Sequence, residues 1–358
     1  MPEFKPLAFK TNFPEVVVRH RALQRARRGA LIRVHRLWQP PLPSPVPPLE
    51  QIDFQADPLK LARLSTEHFS RLLARRADSR DDSIPVMCPR FGSAIFGGMI
   101  TGALSMGSDT SWIHEAGATL EEVGQFAWGR ENSWTEAVVA TLNYMNEKVG
   151  SDCYCYVQGF PTPLELVAQL RGQAIYYDVY DSPDTVMQVL DRCFDAIMWA
   201  HGIIDRKVNN RFPGICAGQL WMERGLPFLS DDFNVNLSAE HYRQYGQPYT
   251  ERIYKHYGGG FLHIHCKAYH QKDILAATEG LTMFNWRPDP NVPLPHEAFE
   301  QWRDSANQKI VWFGAPADFI RAHVSQLREG RFFIDVETHS AAEEEAIIDF
   351  VHRELPIE

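Results

Sequence analysis

Between residues 84 and 336 eight short apolar runs alternate with longer amphipathic stretches, and few folds accommodate that rhythm. The runs lie at 84–88, 103–106, 153–157, 214–221, 261–266, 281–285, 309–313 and 331–336. The stretches between them carry helix punctuation. Ser133 with Glu136 reads as a capping box for a helix to Val149, which Gly150 stops. Ser182 before Pro183 reads as an N-cap with proline at N1, and Val186, Leu190, Phe194, Ile197 and Ile204 then form one apolar stripe. Ser340 with Glu343 reads as another box, for a last helix ending before Pro356. Strand and helix in alternation predict parallel pairing through crossovers. Eight such units predict an α/β chain folded as a (β/α)8 TIM barrel, with an open doubly wound sheet as the alternative. No glycine-rich phosphate fingerprint follows the first run, which counts against a dinucleotide-binding version of that sheet.

Residues 1–80 read differently. They are basic and helical in pattern, then broken by the proline-rich run from Gln39 to Pro48. The expectation is an N-terminal helical extension with an extended connector, ahead of a barrel domain over 81–358. Arg19 to Arg36 reads as a solvated helix face, with an anion site as the alternative. A formal charge of −9 argues against a nucleic-acid partner. No apolar run approaches the roughly 20 residues of a membrane helix. The first residues lack a signal-peptide pattern, and six scattered cysteines suit a reduced compartment, so a cytoplasmic protein is expected. Cys153 and Cys155 share a strand face, either as small buried residues or as a thiolate pair for a metal.

In a barrel the chemistry gathers where the strands end. The polar residues there are Cys88, Arg90, Asp109, Trp112, His114, Gln158, Glu223, His263, His265, Cys266, Asn285, Arg287 and His339, with Asp231 and Asp232 following Ser230 in a loop. His263 and His265 stand at i and i+2, so both imidazoles leave one face of the strand. With His339 in the turn after the last run they supply three nitrogen donors. That is the count of a catalytic zinc site with one open position, in which Cys266 or Glu337 can replace one histidine. A metal-free polar substrate site is the alternative, and structural histidines a further one. Arg90 and Arg287 read as clamps for a carboxylate or phosphate. Asp231 and Asp232 read as a general base or ligand, or as a helix cap. Asp109, Gln158, Glu223 and Asn285 read as substrate-binding residues, with Trp112 and Trp286 as flat walls for a ring.

Four further segments carry a common pattern: Gly159-Phe160-Pro161-Thr162-Pro163-Leu164 through Leu170-Arg171-Gly172; Ser182-Pro183-Asp184-Thr185-Val186; Ser230-Asp231-Asp232, then Leu237-Ser238-Ala239-Glu240, Pro248 and the glycines 258–260; and Leu281-Thr282-Met283-Phe284-Asn285-Trp286. In order and spacing they resemble the Gly-x-Pro segment, the "DP-x-x-V" helix start, the "DD…LSPE" region and the "G-x-D-W" strand of the uroporphyrinogen decarboxylase superfamily, which includes that decarboxylase and zinc-dependent methyltransferases acting with corrinoid proteins. The resemblance implies a TIM-type barrel with the site at the strand C-termini.

The departures decide what else it implies. The decarboxylases carry an Arg-Gln-Ala-Gly-Arg segment for substrate propionates and an aspartate on the first strand, and this chain has neither, although His339 matches their histidine after the last strand. The methyltransferases place His-x-Cys on the fifth strand and a cysteine after the last, all on zinc. Here those positions read His263-x-His265 and His339. The leading expectation is therefore a zinc-dependent methyltransferase working on a small molecule, with a corrinoid protein as partner and homodimerisation as in relatives. The alternatives are a cofactor-free decarboxylase using Arg90, Arg287 and His339, and a non-catalytic ligand-binding barrel.

Overall fold

Eight parallel strands organise the chain, whose computed structural model describes residues 4–54, 56–113 and 119–358. They are β1 (Gly29–Arg36), β2 (Val86–Met87), β3 (Tyr154–Cys155), β4 (Leu226–Ser230), β5 (Gly260–His263), β6 (Met283–Asn285), β7 (Ile310–Gly314) and β8 (Arg331–Thr338). Six pair into one sheet in the order β1-β8-β7-β6-β5-β4, and β2 pairs with β3. The longest ladder joins β1 to β8, from Gly29 opposite Arg331 to Arg36 opposite Thr338.

Successive residues of β1 enter different packing layers, as strand geometry requires. Ala30, Ile32 and Val34 join the core shared with the helices, while Leu31 joins Phe261, Met283, Ile310 and Phe333 on the other face. Burial on both faces suits parallel strands with helical crossovers. The longest crossover helix, Pro183–Lys207, starts after Ser182 with proline at N1 as its sequence predicts, but the Ser182 hydroxyl makes no capping hydrogen bond. One predicted box gives way to a cap one residue earlier, and the other forms with its return bond displaced by one residue. Asn132, not Ser133, caps Ser133–Val149, its carbonyl oxygen accepting from Trp134 and Thr135. At Ala341–Glu354 the Ser340 hydroxyl accepts from Glu343 N–H, but the Glu343 carboxylate reaches back to His339 N–H.

Three sequence expectations are corrected. The Arg19–Arg36 stretch is not one helix face: helix Phe13–Arg25 ends, and β1 starts at Gly29. Residues 103–106 and 214–221 lie outside the parallel sheet. The first contributes Ser105–Met106, paired antiparallel to Ser111–Trp112. The second turns at Gly218 into an antiparallel hairpin, Ile215–Ala217 with Leu220–Met222. That hairpin seals the N-terminal end of the inner core against the first helix, where His20 Nδ1 accepts Trp221 N–H at 2.8 Å. β1 and β4 take the two vacated places.

Ladder pairing stops at β1 and at β4, so the sheet does not close into the expected barrel. Both edges are nonetheless satisfied. On β1, the Asp82 carboxylate accepts Ile32 N–H at 3.0 Å, Asp81 accepts Val34 N–H at 2.9 Å, and Asp82 N–H donates to Ile32 O at 2.7 Å. On β4, Ser230 N–H donates to Phe160 O and Thr162 N–H to Ser230 O. Side-chain carboxylates thus do on one edge what a neighbouring strand does elsewhere. Among the described residues no helix is long and apolar enough to cross a membrane.

Candidate metal centre

Register builds the site. Helix Gln247–Tyr257 ends at Gly258, whose φ of +81° is a left-handed cap that favours glycine, and β5 follows at once. β5 pairs in parallel with β4 so that Ser230 faces His263. Two residues further along each chain, Asp232 comes level with His265. Ile264, between the histidines, is fully buried on the opposite face. On the other side an isolated parallel bridge sets His265 against Arg287, which carries Asp289 to the same level.

Asp232, His263 and His265 therefore converge, each offering one donor atom within 4.8 Å of the others. Asp232 Oδ1 lies 3.7 Å from His263 Nε2 and 3.6 Å from His265 Nε2. Donors at about 2.1 Å from one tetrahedral ion stand roughly 3.4 Å apart, so this spacing is compatible with a ligand set and equally with His–carboxylate ion pairs. His265 Nδ1 meets Asp289 Oδ1 at 3.0 Å, and Asp289 Oδ2 also accepts Lys267 N–H. A carboxylate on Nδ1 holds the proton there and leaves the Nε2 lone pair facing Asp232. His263 stacks on Phe228, and burial, with help from His265 and Arg287, lowers its pKa to about 3. It is neutral, as a metal ligand must be. Asn285 accepts Ile264 N–H on Oδ1 at 3.0 Å and turns its amide nitrogen to His263 Nδ1 at 3.3 Å. That orientation favours the tautomer with the proton on Nε2, so ligation through Nε2 needs the amide to turn over.

Two cavities flank the cluster. One of about 840 Å³ includes Asp232, His263, Arg90, Asp109 and Gln158 in its wall. The other, of about 640 Å³, includes Asn285, Arg287, Glu337 and His339. His339 thus stands across the β6 wall from the histidine pair and is not in the converging group; it follows β8, three strands from β5 in the sheet. Cys266 is buried beyond His265, its thiol pushed up to about 11 by burial. Asp231 is fully buried on the face opposite Asp232. Trp286 is 1% exposed and packs with Tyr269, Phe284 and Trp302, so it is core, while Trp112 is 54% exposed on the short hairpin. Glu223 is not at the mouth. It follows the sealing hairpin at the N-terminal end and pairs with Arg21 at 2.9 Å. His114 lies outside the described residues. Cys153 and Cys155 are free thiols with sulfurs 4.0 Å apart, and among the described residues no third ligand joins them.

The sequence reading missed two groups. Asp289 is signalled by its place in the loop after β6. Glu165, on helix Pro163–Arg171, accepts Phe233 N–H at 2.7 Å, and burial and then the Asp232 charge raise its carboxyl to about 7. Only the fold brings Glu165 beside Asp232.

No family model matches the chain, and no curated protein matches it in sequence at a significant level. Among solved structures it is similar to a methyltransferase from Methanosarcina mazei, at 14% identity, over 95% of this chain and 98% of that one, with a TM-score of 0.54. At that identity the likeness is one of α/β fold.

Proposed function

We propose that the protein is a metal-dependent enzyme of the methyltransferase type, a divergent member of the uroporphyrinogen decarboxylase superfamily on a (β/α)8-type barrel. The carrying observation is the convergence of Asp232, His263 and His265, with Asp289 behind His265. Two imidazoles and one carboxylate suit zinc with an open position. When bound, the metal supplies Lewis-acid activation of a substrate oxygen or thiol. The protein groups do the rest. Asp289 fixes the His265 ring, Phe228 and burial keep His263 neutral, and Arg90 and Gln158 orient a small substrate in the larger cavity. A methylated corrinoid protein is the proposed methyl source. The fold likeness to a methyltransferase supports this reading. A decarboxylase built on Arg90, Arg287 and His339 fits less well, because Arg90 lines one cavity and the other two line its neighbour.

X-ray absorption at the metal edge of protein purified without chelator tests the proposal. The expected shell is nitrogen and oxygen near 2.1 Å. Sulfur near 2.3 Å, or folded protein that takes up no metal, overturns it. Methyl loss from a methylated corrinoid protein is the matching activity readout. Asn285→Asp should tighten metal about tenfold in a chelator competition, since one carboxylate oxygen can keep Ile264 N–H while the other takes His263 Nδ1–H.

A further inference from the structure

Past its end the chain of β3 meets β4, where Pro161 bridges Ser230 in parallel, but below that bridge the two strands do not pair. A cavity of about 190 Å³ lies between them. Tyr154 and Tyr156 belong to the inner core and Cys155 and Val157 to the outer one, and all four line the cavity. The slot therefore reaches through the sheet wall. Its sides are aromatic. Phe160, Phe228 and Tyr257 join the two β3 tyrosines, and among the described residues no lysine or arginine does. Helix Pro183–Lys207 adds His201, 3% exposed, whose ring stacks on Phe160. Its Nε2 is buried without a hydrogen-bonding partner. Burial holds the His201 pKa well below the usual histidine value, so the ring is neutral.

We propose that this slot binds one phenol-like molecule, its ring against the aromatic walls and its hydroxyl on His201. Protein interiors keep few voids larger than a water, and an apolar cavity of about 150 Å³ is enough to take up a benzene ring. Aromatic walls favour an aromatic guest, since edge and offset ring contacts add to simple burial. The unpartnered nitrogen calls for one hydrogen-bonding group, because a buried polar atom left alone is costly. That group must be neutral. A carboxylate or phosphate would find no cation in the walls and would be repelled by Asp205, which is exposed at the rim. An ammonium would find its counter-charge only at that rim, where Asp205 already accepts from the Tyr257 hydroxyl at 3.3 Å. Phe228 is also a wall of the larger cavity and stacks on His263. The slot thus adjoins the proposed metal centre without sharing a donor with it, and the inference does not rest on the metal.

Fluorine NMR titration of the full chain with 4-fluorophenol and with fluorobenzene tests this. Wild type should bind 4-fluorophenol saturably. His201→Phe keeps a ring in place but removes the nitrogen, so it should bind 4-fluorophenol about tenfold more weakly and fluorobenzene as wild type does. Ile204 is a half-buried wall residue on the same helix, and Ile204→Trp should fill the slot and abolish binding of both. Asp232→Ala should bind 4-fluorophenol like wild type, whereas loss of binding there would place the ligand at the metal centre and overturn the proposal. No saturable binding, undiminished affinity in His201→Phe, or binding that survives Ile204→Trp overturns it too. If Ile204→Trp does not fold, anomalous scattering from 4-bromophenol in wild-type crystals decides, and absence of a bromine peak between β3 and β4 counts against the site.

Discussion

Asp81→Ala is expected to destabilise the fold by about 3–5 kcal/mol, enough to lower Tm by roughly 10 °C or to abolish soluble expression. Asp81 is fully buried and, besides accepting from the neighbouring Ser83, holds three further groups. It accepts Val34 N–H at 2.9 Å on the edge of β1, pairs with Lys10 at 2.6 Å and pairs with Arg76 at 2.6 Å. Lys10 is itself buried, its other bonds going to the Ser79 and Asp81 carbonyls. Truncation therefore strands an ammonium in the core as well as an N–H on the sheet edge. The double variant Lys10→Met/Asp81→Leu should recover part of the loss, because two apolar groups leave no unpaired charge. Chemical denaturation reads both effects. A single variant as stable as wild type would remove the edge from any role in holding β1.

The same region sets the response to acid. Burial alone would raise the Asp82 carboxyl, but His352 and Arg19 override it and hold it down to about 2. Asp335, partly buried, is likewise held to about 2 by Arg33 and His35 against the opposing effect of its burial. A carboxylate lowered in the folded state stabilises above its unfolded pKa of about 3.9, and that contribution is lost as pH falls toward 2. His20 acts earlier. It is buried and lowered to about 4, so the unfolded chain takes up its proton first below about 6.5 and the fold loses about 3 kcal/mol by pH 4. All three act in one direction, so stability should fall in two stages on acidification. His20→Gln should shrink the first stage, to which buried His263 and His201 also contribute, and leave the second.

How much of this was legible depends on what each residue touches. β5 through β8 were readable because they are apolar runs between capped helices, and buried parallel strands must look like that. β1 was not, because Gly29-Ala-Leu-Ile-Arg-Val-His-Arg36 carries charge that is satisfied far away in sequence. Arg33 meets Asp335 and Arg36 meets Glu344. β4 was obscured by Pro227, which ordinary strands exclude. It sits where β4 departs from regular pairing with β5, between Leu226 and Leu229. In the site, the i, i+2 histidines were visible as a pair. Their third donor was not, since only the register of β4 against β5 decides between Asp232 and His339.

That choice gives the second large effect. Asp232→Ala should weaken metal binding by at least a hundredfold, whereas His339→Ala and Cys266→Ser should leave it within about threefold of wild type. Removing one of three donors costs a direct bond to the ion, while removing an outer partner such as Asp289 typically costs 10–100-fold. Asp232 Oδ1 stands within 3.7 Å of both histidine nitrogens. His339 instead lines the neighbouring cavity with Glu337 and Arg287, and its backbone N–H is tied to Glu343 at 2.7 Å. Asp289→Asn should fall between, because the amide can still meet His265 Nδ1 but no longer draws its proton. Chelator competition on folded protein gives the ranking directly. If His339→Ala costs more than Asp232→Ala, the donor set is the one expected from the strand ends alone, and the last strand, not β4, supplies the third ligand.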